Sequence, residues 1–316
     1  MKIRVLGSAA GGGFPQWNCN CRNCGGLRGG ILRARARTQS SIAVSAGDAL
    51  GDPAGHRHAP SWVLINASPD ILAQLRANPD FQPGRSPRDT AICAIVLVDG
   101  QVDHTTGLYM LRESTQPWAL WCTDAVYRDL TQGNPIIEVL SHYCRIERRR
   151  MSLDGAGFTV EGLPAIHWHA LPVAGKPAPY SATRESPVAG DNVALLITDH
   201  RTRRSLFYAP GLADIDEATW RVMTSAACVL VDGTFWSDDE MIRLRLSGKR
   251  ARDIGHLAQS GAGGMLEWLG KLPEGTRKVL IHINNTNPIL DESSPERAEL
   301  GRRGIEVAWD GMEIDL

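Results

Sequence analysis

Cys93-Ala94-Ile95-Val96-Leu97-Val98-Asp99-Gly100-Gln101-Val102-Asp103-His104-Thr105-Thr106-Gly107-Leu108 is the stretch whose reading decides the fold. Its apolar half is short and rich in β-branched residues (Ile95, Val96, Val98), which reads as a buried strand rather than a surface helix. Asp99-Gly100 is the turn that ends it. Asp103-His104 follows where the strand gives way to a helix, and Thr105 is expected to cap that helix. An acid and an imidazole at the edge of a packed scaffold stand where chemistry is usually found.

A late stretch repeats the arrangement. Lys278 to His282 reads as a strand with the histidine at its end, and Asn284-Asn285-Thr286-Asn287-Pro288 is its loop. Taken singly, Asp103 reads as a helix cap and His282 as a hydrogen-bonded core histidine. Joined, as the resemblance given next implies, Asp103, His104 and His282 are two histidines and one carboxylate. With open coordination positions this donor set suits non-haem Fe(II), and three protein ligands with an open position also suit catalytic zinc.

The first stretch resembles the metal-binding signature of the metallo-β-lactamase superfamily, His-x-His-x-Asp-His followed by x-x-Gly-Leu. Asp103, His104, Gly107 and Leu108 match it; Asp99 and Gln101 stand where the first two histidines would be. In that superfamily the early histidines build one metal position, and the Asp-His pair with a late histidine builds the second. The resemblance implies that the first position is lost and the second, Asp103, His104 and His282, is kept. A bridging aspartate, usual in a Ser-Gly-Asp-Thr turn, is replaced by Pro210 in Tyr208-Ala209-Pro210-Gly211. At most one catalytic metal is therefore expected. The superfamily also places a metal histidine in a strand near His167-Trp168-His169, whose two histidines share one strand face.

Trp17-Asn18-Cys19-Asn20-Cys21-Arg22-Asn23-Cys24 is the second chemical signal. Three cysteines within six residues can turn their sulfurs onto one ion, and thiolates suit structural zinc. Some phosphodiesterases of the superfamily join such a run to a histidine three residues after the late active-site histidine. Here that position is Asn285. The fourth ligand is then Asn285 through its carbonyl oxygen, a distant histidine or carboxylate, or water. Shared between the two loops, the zinc would stiffen the site rather than perform the reaction.

The 316 residues carry a formal net charge of -1, with 43% hydrophobic and 22% charged residues, an ordinary balance for a globular protein with a substantial core. Near-neutral charge argues against a nucleic-acid binder; the arginines of 28–37 and 145–150 read as solvated faces. No apolar run approaches the roughly 20 residues that span a bilayer. Lys2 to Leu6 is a strand followed by glycine rather than a signal peptide, so a cytoplasmic protein is expected. Seven cysteines, an odd number, point to reduced thiols or metal rather than a disulfide framework. Gly7 to Gly13 lacks the Gly-Lys-Ser/Thr ending of a phosphate loop.

Further strands are expected over Ile42 to Val44, Trp62 to Asn66, Trp118 to Cys122, Val193 to Thr198, Ser205 to Tyr208, Val229 to Asp232 and Ile305 to Trp309. Phe158 to Leu171 alternates like a hairpin or one long strand. Ser68-Pro69-Asp70 is expected to open a helix with Ser68 as cap, Thr123 to cap a helix to Leu130, and a further helix to run from Asp253-Ile254-Gly255-His256 to about Leu269. Asp232 reads as support for the site or as a turn residue, and His256 faces either the site or solvent. The segment 47–60 reads as an exposed polar loop with solvent histidines His56 and His58. Val173 to Asn192 is long enough to be a lid or binding loop. No repeat and no linker divides the chain. One domain over 1–316 is expected, of α/β (α+β) class, as the superfamily's four-layer αββα sandwich.

Six segments together are similar to the family of coenzyme PQQ synthesis B proteins within that superfamily: 7–19, 37–43, 66–71, 207–212, 231–236 and 282–288. The resemblance implies a part in making pyrroloquinoline quinone (PQQ), a redox cofactor built from a glutamate and a tyrosine of a peptide. Converting a tyrosine ring to an ortho-quinone requires added oxygen. The expected activity is an Fe(II)-dependent hydroxylation of the ring of a Glu–Tyr cross-linked precursor, with O2 as co-substrate and Asp103, His104 and His282 as ligands. Cu2+ and Zn2+ are the alternative metals. The alternative functions are a zinc hydrolase acting on a precursor and a non-catalytic carrier for PQQ or its precursor. Partners are then the precursor, O2 and other proteins of the pathway, with a homodimer allowed.

Overall fold

The computed structural model describes residues 1–47, 61–84 and 86–316. The expected loop over 47–60, with His56 and His58, lies almost wholly outside the described residues. Fourteen strands follow in chain order: β1 Lys2–Gly7, β2 Ser41–Ser45, β3 Trp62–Ile65, β4 Ile92–Val96, β5 Trp118–Cys122, β6 Ile146–Arg150, β7 Phe158–Thr159, β8 Ile166–Pro172, β9 Val193–Asp199, β10 Arg204–Ala209, β11 Cys228–Asp232, β12 Arg277–Ile281, β13 Ile305–Val307 and β14 Glu313–Asp315.

They form two seven-stranded sheets, ordered β14-β1-β2-β3-β4-β5-β6 and β13-β12-β11-β10-β9-β8-β7. Each sheet is half antiparallel and half parallel. In the first, β14, β1, β2 and β3 pair antiparallel and β3 to β6 parallel. In the second, β7 to β10 pair antiparallel and β10 to β13 parallel. Central strands such as β4 and β11 are apolar without alternation because both of their faces are covered. Ile3, Val5, Val44, Val63 and Val96 of one sheet pack against Trp168, Leu195, Ile197, Leu230 and Val279 of the other. The outer face of the first sheet packs Leu64, Ile95 and Leu120 against Ile71, Leu108, Val126 and Leu140 of its helices. The outer face of the second packs Phe207, Val229 and Leu280 against Met223, Leu269 and Leu300. The result is the four-layer αββα sandwich.

Three helix expectations are corrected. The helix after β4 begins earlier, at Val102–Thr105, and Thr105 lies at its end; the Thr105 hydroxyl donates back to the Gln101 carbonyl at 2.9 Å instead of capping. The helix after β3 is Ile71–Ala77, so Pro69 stands outside it, and the Ser68 hydroxyl accepts only from the Asp70 amide. No helix runs from His256 to Leu269: a 3-10 turn at Arg252–Ile254 ends at left-handed Gly255 (φ 93°), and the later helix is Met265–Gly270. Gly261 and Gly263 also take positive φ (88° and 71°) between them, a backbone that continuous α-helix excludes. The Thr123 cap holds: its hydroxyl accepts from the Val126 amide, and the helix Asp124–Arg128 runs on as a π turn over Asp129–Gly133. Phe158 to Pro172 is a hairpin, β7 on β8. No helix among the described residues is long and apolar enough to cross a membrane.

Candidate metal centre

The exits of parallel strands β4, β11 and β12 deliver the polar residues to one cavity of about 270 Å³. The exit of β4 supplies Asp99, Asp103 and His104; that of β12 supplies His282, at φ 60°, a left-handed conformation that a residue with a side chain rarely adopts. One ligand atom from each of Asp103, His104 and His282 lies within 4.8 Å of the others. Asp103 Oδ2 is 3.3 Å from His282 Nε2 and 3.9 Å from His104 Nε2.

Each imidazole is held at Nδ1. Both carboxylate oxygens of Asp99 lie at 2.8 and 2.9 Å from His104 Nδ1, so His104 donates there, and Nε2 is the nitrogen whose lone pair is offered once its proton leaves. His104 Nε2 is buried and has no hydrogen-bond partner. A buried nitrogen left bare beside a carboxylate and a second imidazole fits a metal ligand, and the Asp–His pair behind it is the usual outer support of one. Thr234 does the same for His282. Its hydroxyl donates to Asp232 Oδ1 at 2.6 Å and so can accept from His282 Nδ1 at 3.0 Å, leaving His282 Nε2 facing Asp103. Asp99 was legible in the sequence only as a lost histidine; its support of His104 was missed, and the spacing of five residues across one turn was the available signal.

Asp232, His256 and His282 also bring three donor atoms within 4.8 Å. These atoms are already engaged. Asp232 Oδ2 accepts from His256 Nδ1 at 2.7 Å and from the Leu212 amide at 3.0 Å, and its Oδ1 accepts from the Thr234 amide and hydroxyl. The His256 ring stacks on that of His282, with centroids 5.4 Å apart. This triple is a hydrogen-bonded support. His256 lines the cavity rather than facing away, and Asp232 acts on both imidazoles as well as on its own turn.

Charge is finely balanced here. Burial would raise the Asp103 carboxyl, but His104 and His282 outweigh it and hold it far below the usual carboxylate range. Burial would lower His104, but Asp99 and Asp103 overcome it and raise the imidazole to about 9. A metal at this point therefore displaces a proton from His104.

The Cys19, Cys21 and Cys24 sulfurs also lie within 4.8 Å of one another. Cys21 caps the helix Arg22–Arg28, its sulfur accepting from the Cys24 amide. The Gln16 amide donates to Cys24 Sγ at 3.3 Å and the Cys21 amide to Cys19 Sγ at 3.4 Å. Burial, with no ion present, pushes the Cys21 thiol up to about 11. Thiolate sulfurs gathered in this way suit zinc. Asn285 reaches the cluster: Nδ2 donates to Cys24 Sγ at 3.3 Å, and its backbone carbonyl is 3.7 Å from Cys21 Sγ. Its amide acts as a donor to sulfur. All seven cysteines are free thiols.

His167 and His169 lie on β8; His167 meets the edge of His200, and neither lines the cavity. Pro210 is buried at the exit of β10 and offers no ligand, although Gly211 beside it lines the cavity. The loop 173–192 supplies Lys176, Pro179, Arg184 and Asn192 to the wall. A larger groove of about 530 Å³, lined from Ser61 to Trp118, holds none of these clusters.

A family model described as the beta-lactamase superfamily domain matches residues 61–283. Coenzyme PQQ synthesis protein B of Azoarcus sp. (strain BH72) is 60% identical over 316 residues, covering 100% of both chains. The protein of that name from Cupriavidus necator is 57% identical over 314 residues, covering 99% of both. Among solved structures, Zn(2+)-bound PqqB from Methylobacterium extorquens matches with a TM-score of 0.87 and 36% identity over 100% of both chains. A diphosphatase from the PhnP family matches with a TM-score of 0.65 at 17% identity, over 100% of this chain and 97% of its own, a likeness of fold alone.

Proposed function

The chain belongs to the coenzyme PQQ synthesis protein B family of the beta-lactamase superfamily, and from that premise we propose that it acts in PQQ biosynthesis as a metal-dependent hydroxylase. The substrate in this reading is the tyrosine-derived ring of a Glu–Tyr cross-linked precursor. The observation that carries the reading is the bare, buried Nε2 of His104, fixed by Asp99 and set beside Asp103 and His282 in an accessible cavity. Two imidazoles and one carboxylate leave positions for both O2 and a phenol. Held by these three residues, Fe(II) would supply the activation of O2, one oxygen atom going to the ring and the other to water, with two electrons from a small-molecule reductant or from oxidation of the hydroxylated ring to the quinone.

The chain's own residues do the rest. Asp99 and Thr234 fix the ring planes of His104 and His282. His256, held at Nδ1 by Asp232, can carry a proton at Nε2 on the cavity wall. Cys19, Cys21 and Cys24 would hold a structural zinc, which would tie their loop to the one leaving β12.

A second reading, a zinc-dependent hydrolase, draws support from the zinc in the Methylobacterium relative. Zinc outcompetes Fe(II) at most nitrogen and oxygen sites, so zinc in a relative is compatible with both. A non-catalytic carrier would need neither ion at the cavity. Anaerobic reconstitution with Fe(II), then O2 and the cross-linked Glu–Tyr compound, with mass spectrometry of the product, separates the three. A gain of oxygen that is lost in His104→Ala supports hydroxylation. Cleavage by the zinc form supports hydrolysis, and tight binding without mass change supports a carrier.

A further inference from the structure

We infer that Lys176 and Arg184 form a carboxylate-binding wall in the cavity that Asp103, His104 and His282 also line, and that the substrate carries at least two carboxylates. The inference rests on the reading of this cavity as the site of the pathway's reaction, and it adds the chemical class of what enters.

The fixed charges lining the cavity are Asp99, Asp103, Lys176 and Arg184. The two acids are engaged, Asp99 with His104 and Asp103 with His282. The two bases are not: neither forms an ion pair among the described residues, although every other fixed charge of the cavity does. The Arg184 guanidinium has one hydrogen bond, to the Pro177 carbonyl of its own loop. An unpaired cation in a concave site with low-dielectric walls attracts anions. A guanidinium meets a carboxylate with two parallel hydrogen bonds, and an ammonium meets it as a point charge. Two acids and two bases cancel, so a divalent ion on Asp103, His104 and His282 leaves the cavity with two formal positive charges for its occupant to neutralise.

The wall is built rather than incidental. Gln101 Nε2 donates to the Lys176 carbonyl at 2.9 Å, which ties Lys176 to the turn that carries Asp103 and His104. On its other side, a Cβ on Gly255 would stand 2.7 Å from the Lys176 amide nitrogen, so glycine is required there, next to His256. The rest of the loop is pinned by the Tyr180 hydroxyl to the Gly100 carbonyl, Ser181 to Asp129 at 2.7 Å and Thr183 to Asp191 at 2.8 Å. Of the two expectations for this loop, a lid or a binding loop, the anchored wall matches the second, and it places its cations before the substrate arrives. Amino-acid carboxylates on a cross-linked Glu–Tyr ring are groups of the required kind.

The test uses PQQ, a tricarboxylic acid with its own chromophore, and its trimethyl ester as probes of the full-length zinc-loaded protein. The acid is expected to bind at least tenfold tighter than the ester and to weaken as salt rises. Lys176→Met and Arg184→Gln should each weaken the acid about tenfold and leave the ester unchanged, while Lys176→Arg retains most of the affinity. Circular dichroism and zinc content check that the variants fold. Equal binding of acid and ester, variants that bind the acid as well as wild type, or no binding of the acid would each overturn the inference. If Fe(II) reconstitution gives no oxygenated product while the acid preference persists and depends on Lys176 and Arg184, the hydroxylase reading falls and the carboxylate wall stands.

Discussion

The two clusters of candidate metal ligands hang from one segment and are built in opposite ways. His282 and Asn285 are three residues apart on the exit of β12, one facing the histidine cavity and the other the sulfurs. Around the sulfurs, backbone amides and the Asn285 amide crowd in, and Asn23 Nδ2 bonds the Asn285 and Asn287 carbonyls at 3.1 and 2.9 Å, sewing one loop to the other. Around the imidazoles, the supporting hydrogen bonds go to the far ring nitrogens, His104 Nε2 has no partner, and His282 Nε2 meets only Asp103 Oδ2 at 3.3 Å. A closed donor set serves the fold, and an open one serves chemistry.

The sharpest way to break this contrast is His282→Ala. It removes the one ligand that reaches across from the second sheet, and product formation should fall below detection while circular dichroism is retained; surviving activity would remove His282 from the site. Cys21→Ser should do the reverse. One zinc per chain is lost, and stability falls by about 3 kcal/mol or more because a structural ion contributes directly to folding. Thermal melts with metal analysis read this, and an unchanged melt at full zinc content would count against the sulfur cluster. Asp99→Asn keeps the shape but weakens the hold on His104. Metal affinity at the cavity should drop about 10- to 100-fold, measured by competition with a chelator, while the sulfur-bound zinc is unaffected. The smallest effect is expected from Asn285→His, which places an imidazole where an amide now faces the sulfurs. It should slow zinc release to a chelator by a few-fold, and faster release would mean that the amide's hydrogen bond matters more than a further donor.

What the sequence allowed follows from which interactions are local. The cysteine run was exposed by its own spacing, while the Asp103-His104 turn and the late histidine, both at strand ends, were singled out by the resemblance to the superfamily signature. Strand positions were legible from β-branched runs because both faces of the parallel strands are covered. The network behind the site was not. Asp99 reaches His104 only because a turn folds back, and Thr234 joins Asp232, His256 and His282 only once β11 and β12 lie side by side. The helix expected after His256 failed because left-handed glycines interrupt it, and the choice between lid and binding loop for 173–192 stayed open because the loop's anchors, Gly100 and Asp129, lie 80 and 52 residues away from their partners.

His282 stands in backbone territory that glycine occupies freely and other residues occupy at a cost of about 1 kcal/mol. A change to glycine there would relieve the main chain and abolish the imidazole in one step. What the histidine returns for that costly seat is its hydrogen bond with Thr234, its stack on His256 and the Nε2 it turns toward Asp103, so the strain is kept in place by the network around the ring.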